Sequence, residues 1–212
     1  MEPRSVRHEK ALGGRVRAAL PAELDSLAPV LARAFERDPV YRWIVPDDAR
    51  WRRIAPGLFR ELLRLFAATG TVLTDDTAAG AALWNPPEPR RRSLRERAAF
   101  ALALCVRLRV ATPRLARVGG ILSSLQPREP HWYLGVLGVD AGRRRRGVGA
   151  GLMAPILARC DDERLPAYLE TAVEENLAFY GKRGFAVVGD AVVPGGPRIW
   201  AMRRPPQHGA GA

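Results

Sequence analysis

Apolar residues recur at helical spacing twice ahead of Gly70. Leu24, Leu27, Leu31 and Phe35 share one face behind Pro21-Ala22-Glu23, and Ile54, Leu58, Leu62 and Phe66 share another. Residues 16–19 predict a short strand before the first helix. Asp38-Pro39 breaks that helix, and Tyr41-Arg42-Trp43-Ile44-Val45-Pro46 reads as an aromatic-rich loop. Residues 71–74 and 79–84 predict two strands of a hairpin around an Asp75-Asp76 turn, ended by Asn85-Pro86-Pro87. Residues 90–125 read as a long helical region, broken near Thr112-Pro113 and Gly119-Gly120 and followed by a breaker cluster over 127–130. The near-continuous apolar run from Trp132 to Val139 predicts a buried strand. A helix over 147–158, a strand over 167–171, a helix over 174–182 and strands over 185–188 and 199–202 complete a mixed α/β pattern without internal repeats. Residues 1–14 and 205–212 read as flexible tails, which leaves 15–204 as a single domain.

Length and composition narrow the class. The 212 residues, 47% hydrophobic and 26% charged, are ordinary for a globular chain and exclude a disordered, collagenous or coiled-coil protein. The best apolar run, 98–106, stops at Arg107, short of the roughly 18–20 residues of a membrane span. Met1-Glu2-Pro3-Arg4 lacks the apolar core of a secretory signal. Cys105 and Cys160 show neither metal-ligand spacing nor a disulfide pattern. A cytoplasmic protein without a metal or a membrane partner is expected.

The net charge of +12 admits nucleic-acid binding as one reading. Yet only Lys10 and Lys182 are lysines, and an arginine-rich, lysine-poor chain is what GC-rich codon usage produces without selection for charge. With 7% aromatic residues there is little base-stacking surface. Scattered solvated arginines with one anion site is therefore the preferred reading, and no nucleic-acid partner is expected.

The candidate chemistry lies in Leu137-Gly138-Val139 and the turn that follows, Asp140-Ala141-Gly142-Arg143-Arg144-Arg145-Arg146-Gly147-Val148-Gly149-Ala150-Gly151. A strand feeds arginines and small residues into a helix. A helix N-terminus offers unpaired N–H groups and partial positive charge, and glycines let an anion approach them closely. The glycine spacing matches neither G-x-G-x-x-G nor a P-loop. The alternative is a tight arginine-flanked turn that the glycines merely close.

Arg144-Arg145-Arg146-Gly147-Val148-Gly149 resembles the acetyl-CoA loop, Q/R-x-x-G-x-G/A, of the GCN5-related N-acetyltransferase (GNAT) family. Leu169-Glu170-Thr171 followed by Glu175-Asn176-Leu177-Ala178-Phe179-Tyr180-Gly181-Lys182-Arg183-Gly184-Phe185 is similar to the family's later block at the expected distance. The pattern extends toward the puromycin N-acetyltransferase-like group through 128–134 and 193–202, closely over 129–203 and loosely over 15–125.

The resemblance implies a GNAT fold: a central mixed, mostly antiparallel sheet flanked by helices, with a splayed parallel pair formed by 132–139 and 167–171. It implies acetyl-CoA as cosubstrate and a primary amine of a small molecule, an aminonucleoside or other antibiotic among the candidates, as acceptor. Transfer would be direct, in a ternary complex. Leu137, Gly138 and Val139 would pair with the pantetheine; Arg144, Arg145, Arg146, Gly147, Val148, Gly149 and Ala150 would cradle the pyrophosphate, with at least one arginine pointing to solvent. Asn176 would bond the cofactor arm, or else satisfy local backbone. Tyr180 would protonate the departing thiolate, or else be core beside Phe179 and Phe185. Glu170 would serve as general base, or else pair with an arginine, and His131 is a second base by type. Tyr41, Trp43 and Trp84 would stand near the acceptor, Trp84 being equally readable as core. A monomer or homodimer is expected. A regulatory nucleic-acid binder and an acetyltransferase acting on protein N-termini or lysines are the alternatives.

Overall fold

The computed structural model describes residues 14–88 and 112–207. Residues 1–13 of the predicted tail over 1–14, residues 90–111 of the predicted helical region over 90–125 with Cys105, and residues 208–212 of the predicted tail over 205–212 lie outside them. Seven strands form one sheet in the order β1-β2-β3-β4-β5-β7-β6: β1 (Val16–Ala18), β2 (Thr71–Asp75), β3 (Gly80–Asn85), β4 (Trp132–Val139), β5 (Ala167–Thr171), β6 (Ala186–Val192) and β7 (Arg198–Arg204). Every neighbouring pair is antiparallel except β4 and β5.

One face is covered by helices α1 (Leu24–Ala34), α2 (Pro39–Ile44), α3 (Asp48–Thr69) and α4 (Thr112–Leu125), the other by α5 (Val148–Asp162) and α6 (Glu175–Gly181). The first face buries Leu27, Leu31, Phe59 and Leu63 against Ala81, Leu83 and Val136. The second buries Leu152, Met153, Ile156 and Tyr180 against Ala82, Trp84, Leu134 and Leu169. Period-3.6 stripes on α1 and α3 make the first layer, as the sequence predicts. No helix among the described residues is long and apolar enough to cross a membrane.

Three expectations are corrected. Residues 41–46 are not a loop: α2 runs over Pro39–Ile44, because Pro39 suits a first helical position and Asp38 caps it, accepting from the amides of Val40 and Tyr41 at 3.0 and 3.1 Å. Gly119-Gly120 does not interrupt α4, since both glycines are exposed and nothing forces a turn there. Strand β6 extends to Val192, beyond the predicted end at 188, because its partner β7 continues opposite it as far as Arg198.

Strand β4 is also more differentiated than its apolar run suggested, alternating buried and half-buried residues. Its register with β3 shifts between Leu83, opposite Val136, and Trp84, opposite Leu134, so Gly135 is an extra residue. Before the bulge Trp132 and Leu134 face α5; after it Leu137 and Val139 do, and Val136 turns to the other layer. The β2–β3 turn is held by Asp75, whose two carboxylate oxygens accept from the Ala79 amide at 2.7 Å and the Thr77 hydroxyl at 2.8 Å.

Candidate functional site

The parallel pair opens partway along. Trp132, Tyr133 and Leu134 stand opposite Ala167, Tyr168 and Leu169, and pairing stops there. Strand β4 runs on through the bulge to Val139, held on its other edge by β3, so its edge from Gly135 onward has no strand beside it. Backbone polar groups along that edge seek a partner. Leu137, Gly138 and Val139 therefore present to the opening an extended edge that no strand pairs.

At the end of β4 the chain makes a short 3₁₀ turn, Ala141–Arg143, capped by Asp140, which accepts from Gly142 and pairs with Arg33 at 3.0 Å. The Arg33 guanidinium and the Gly142 amide hold the Asp140 carboxyl below its ordinary value. Arg144, exposed like its neighbours, bends back: its guanidinium donates to the carbonyls of Ala34 at 2.8 Å and Val139 at 3.4 Å, fastening the end of α1 to the loop. Arg145, at φ +59°, and Arg146 are exposed. Gly147 adopts φ +80°, a left-handed conformation that glycine reaches without strain, and starts α5 with no side-chain cap. The amides of Val148, Gly149 and Ala150 in that first turn therefore have no capping side chain. A β-carbon on Gly149 would stand 3.4 Å from Phe179 Cζ and 3.6 Å from Val139 Cγ2, which places this helix start against both β4 and α6.

Helix α6 brings Tyr180 to the same face. Its ring sits edge-on to Phe179 at 5.1 Å and to Phe185 at 6.0 Å. Burial pushes the Tyr180 hydroxyl well above its ordinary pKa, Arg183 opposes this, and the Asp38 charge adds to it. The group is thus held protonated, as an acid must be. Asn176, half-buried in the first turn of α6, makes no side-chain hydrogen bond to a described residue; its backbone amide donates to Val173 at 3.0 Å.

Glu170 faces the opening from β5. Tyr168, two residues before it, and Tyr133, opposite Tyr168 on β4, flank the carboxylate, and the two rings are 6.2 Å apart. Burial raises the Glu170 carboxyl to about 7, against the opposing effect of the Tyr133 and Tyr168 hydroxyls. Its Oε1 is buried without a hydrogen-bond partner, and among the described residues no arginine or lysine pairs with it. Tyr168 gives its own hydroxyl proton to the Leu125 carbonyl at 2.9 Å. Burial, with the Glu170 charge second, holds Tyr133 far above its ordinary value. His131 lies at the head of β4, its ring edge-on to Tyr168 at 5.4 Å and its Nδ1 2.7 Å from the Glu129 carbonyl oxygen.

The three predicted acceptor aromatics separate. Tyr41 is on α2, 5.4 Å from Phe35 and 5.3 Å from Phe59 between ring centroids, and burial, with the Asp38 charge second, holds its hydroxyl well above the ordinary value. Trp43 is an anchor: its indole N–H donates to the Gly195 carbonyl at 2.7 Å, Arg114 lies over its ring at 5.3 Å, and Arg114 also donates to the Trp43 carbonyl. Trp84 is wholly buried in the α5 layer.

Three residues near the opening were not singled out by sequence. Tyr168 shares a strand face with Glu170 at i, i+2, a visible signal. Tyr133 joins them only through the β4–β5 register. Asp38-Pro39 signals a helix stop, and Asp before Pro is equally a helix start. Cys160 is buried in α5, and burial pushes its thiol up to about 12, leaving it inert.

A model of the acetyltransferase (GNAT) family matches residues 31–185. Over 169 residues the chain is 28% identical to an uncharacterized N-acetyltransferase of Schizosaccharomyces pombe, a match covering 74% of this chain and 68% of the yeast protein. A structure described as histone acetyltransferase HPA2 and related acetyltransferase, from Corynebacterium glutamicum, superposes with a TM-score of 0.66 at 23% identity, over 94% of this chain and 100% of that one. Arylalkylamine N-acetyltransferase 2 from Aedes aegypti superposes with a TM-score of 0.58 at 13% identity, over 91% of this chain and 99% of that one. Both share the fold.

Proposed function

The chain belongs to the GNAT acetyltransferase family, and from that premise we propose that it carries an acetyl group from acetyl-CoA to the primary amine of a small molecule, an aminonucleoside being one such acceptor. We take residues 15–204 as the acetyltransferase domain. One observation supports the reading: β4 parts from β5 after Leu134, with the Glu170 carboxylate next along β5 and the buried, protonated Tyr180 on the face that α5 and α6 cover.

The residues present fit the cosubstrate. The free edge of β4 over Leu137–Val139 suits an extended amide-bearing arm, and the uncapped amides from Val148 to Ala150 suit a pyrophosphate. Exposed Arg145 and Arg146 would add charge, while Arg144 holds the loop in shape. Acetyl-CoA, when bound, supplies the acyl group activated as a thioester. Glu170, with its carboxyl near neutrality, accepts the proton that the ammonium must lose before its lone pair can attack. The nitrogen–carbon bond would then form and the carbon–sulfur bond break; the Tyr180 hydroxyl would give its proton to the sulfur, and the second proton that the nitrogen loses on becoming an amide would return through solvent to restore that hydroxyl. The inert Cys160 supports transfer without an acyl-enzyme.

The test incubates the protein with acetyl-CoA and a panel of amines, including puromycin, polyamines and histidine-like compounds, and follows free thiol. Amine-dependent release is the expected result. Release with a lysine-bearing or N-terminal peptide and with none of the small amines would overturn the small-molecule reading.

A further inference from the structure

Resting on the reading above, we propose that Asp38 is the residue that recognises the acceptor's charge. It receives an ammonium group beside Tyr180 and Tyr41, and it makes the enzyme selective for amines that carry no carboxylate near the amino group.

The first observation is where this carboxylate sits and what it lacks. Asp38 joins α1 to α2, and a single oxygen, Oδ1, accepts both capping amides, from Val40 and Tyr41. The second oxygen makes no hydrogen bond to a described residue. Phe35, three residues before Asp38, packs on Tyr41 at 5.4 Å and would meet a β-carbon on Gly138 at 3.0 Å, which sets this helix junction against the edge of β4 that no strand pairs. Burial raises its carboxyl above the ordinary range, and no neighbouring cation offsets this.

A second feature is the missing counter-charge. In a protein of net charge +12, carboxylates readily find guanidinium groups. Asp25 pairs with Arg60, Asp161 with Arg204 and Asp190 with Arg198. Among the described residues neither Asp38 nor Glu170 has such a partner. Glu170 Oε1 is in addition fully buried and unbonded. A partly desolvated anion without a counter-charge is costly, and a cationic guest removes that cost. Tyr41 follows Asp38 on α2 and Tyr133 flanks Glu170, and aromatic ring faces attract cations. A zwitterionic amino acid would set its own carboxylate against this lining, and like-charge juxtaposition is what excludes wrong partners. Glu170 removes the proton from the reacting nitrogen; Asp38 holds and selects.

Asp38→Asn isolates the charge, because asparagine caps a helix as well as aspartate and keeps the Oδ1 contacts. The full chain and this variant are assayed by thiol release with pairs that differ only in a carboxylate: putrescine against ornithine, and phenethylamine against phenylalanine. Binding of the same amines is measured separately, as the melting shift they add to the protein saturated with CoA. Wild type should favour the carboxylate-free member of each pair by about 100-fold or more in kcat/KM, the range that one charge clash supplies. Asp38→Asn should raise KM for the cationic amines about tenfold or more and shrink that preference, with kcat and the CoA melting shift little changed. An unchanged KM and preference in the variant overturns the inference, as does equal binding of both members of each pair. Amines that bind wild type but not the variant, without any thiol release, would instead sink the acetyl-transfer reading and leave the recognition site standing.

Discussion

Phe66 occupies the space beside Gly135: a β-carbon on that glycine would lie 2.3 Å from Phe66 Cζ. Helix α3 thus presses on the one extra residue of β4, at the point where the strand leaves β5. Gly135→Ala should lower stability by roughly 1–3 kcal/mol, the usual cost of overpacking. Denaturant midpoints read this directly. Phe66→Leu in the same chain should recover part of the loss, and strict additivity of the two changes would show that the contact is relaxed.

Glu170 gives a pH signature of two opposed signs. Its folded pKa, about 7, lies above the ordinary 4.5, so the stability its proton contributes is full below about 4.5 and is lost as pH rises through about 7. Glu170→Gln carries no charge at any pH. Above neutrality its melting temperature should equal or exceed that of wild type, while kcat falls roughly 10²–10⁴-fold. In wild type, activity should climb through pH about 7 as the base ionises. A variant that keeps this acid limb would remove Glu170 from the proton path.

Tyr180→Phe keeps the ring against Phe179 and Phe185 and removes only the hydroxyl. Turnover should drop by roughly 10²–10⁴-fold, with kcat and kcat/KM falling together. The melting shift produced by CoA should persist. A loss under about threefold would leave Tyr180 as packing and water as the donor.

Gly149 tests the cradle without touching chemistry. CoA at a hundred times its dissociation constant should add about 2.7 kcal/mol of stability to wild type. A valine at 149 sets its methyl groups against Phe179, whose Cζ would already be 3.4 Å from the β-carbon, and across the approach to the α5 amides. The CoA-dependent melting shift should vanish in Gly149→Val. A normal shift would place the anion site elsewhere.

Sequence periodicity sufficed for α1, α3 and the β2–β3 hairpin, because each buries a regular stripe of its own residues. It failed at α2, where six residues offer too little periodicity and Asp38-Pro39 signals a stop and a start alike. It failed at Gly119-Gly120, where exposure removes any need for glycine to turn the chain. The cradle was legible because its strand, arginines and glycines are contiguous. The carboxylate side was legible only in part: Tyr168 and Glu170 share a strand face at i, i+2, but Tyr133 joins them only through the β4–β5 register, which no local pattern encodes.

The indole of Trp43 is tied to Gly195, 152 positions later in the chain. A ribosome delivers those two residues far apart in time, at roughly 5–20 residues per second. The short helix bearing Asp38's cap and Tyr41 therefore emerges early and waits for its anchor, and β5 likewise waits for β7 to close its second edge. The loop and helix that would take the pyrophosphate are made before either. A growing chain would thus acquire its nucleotide cradle first and its acceptor wall last, so acceptor selectivity would appear only at the end of synthesis.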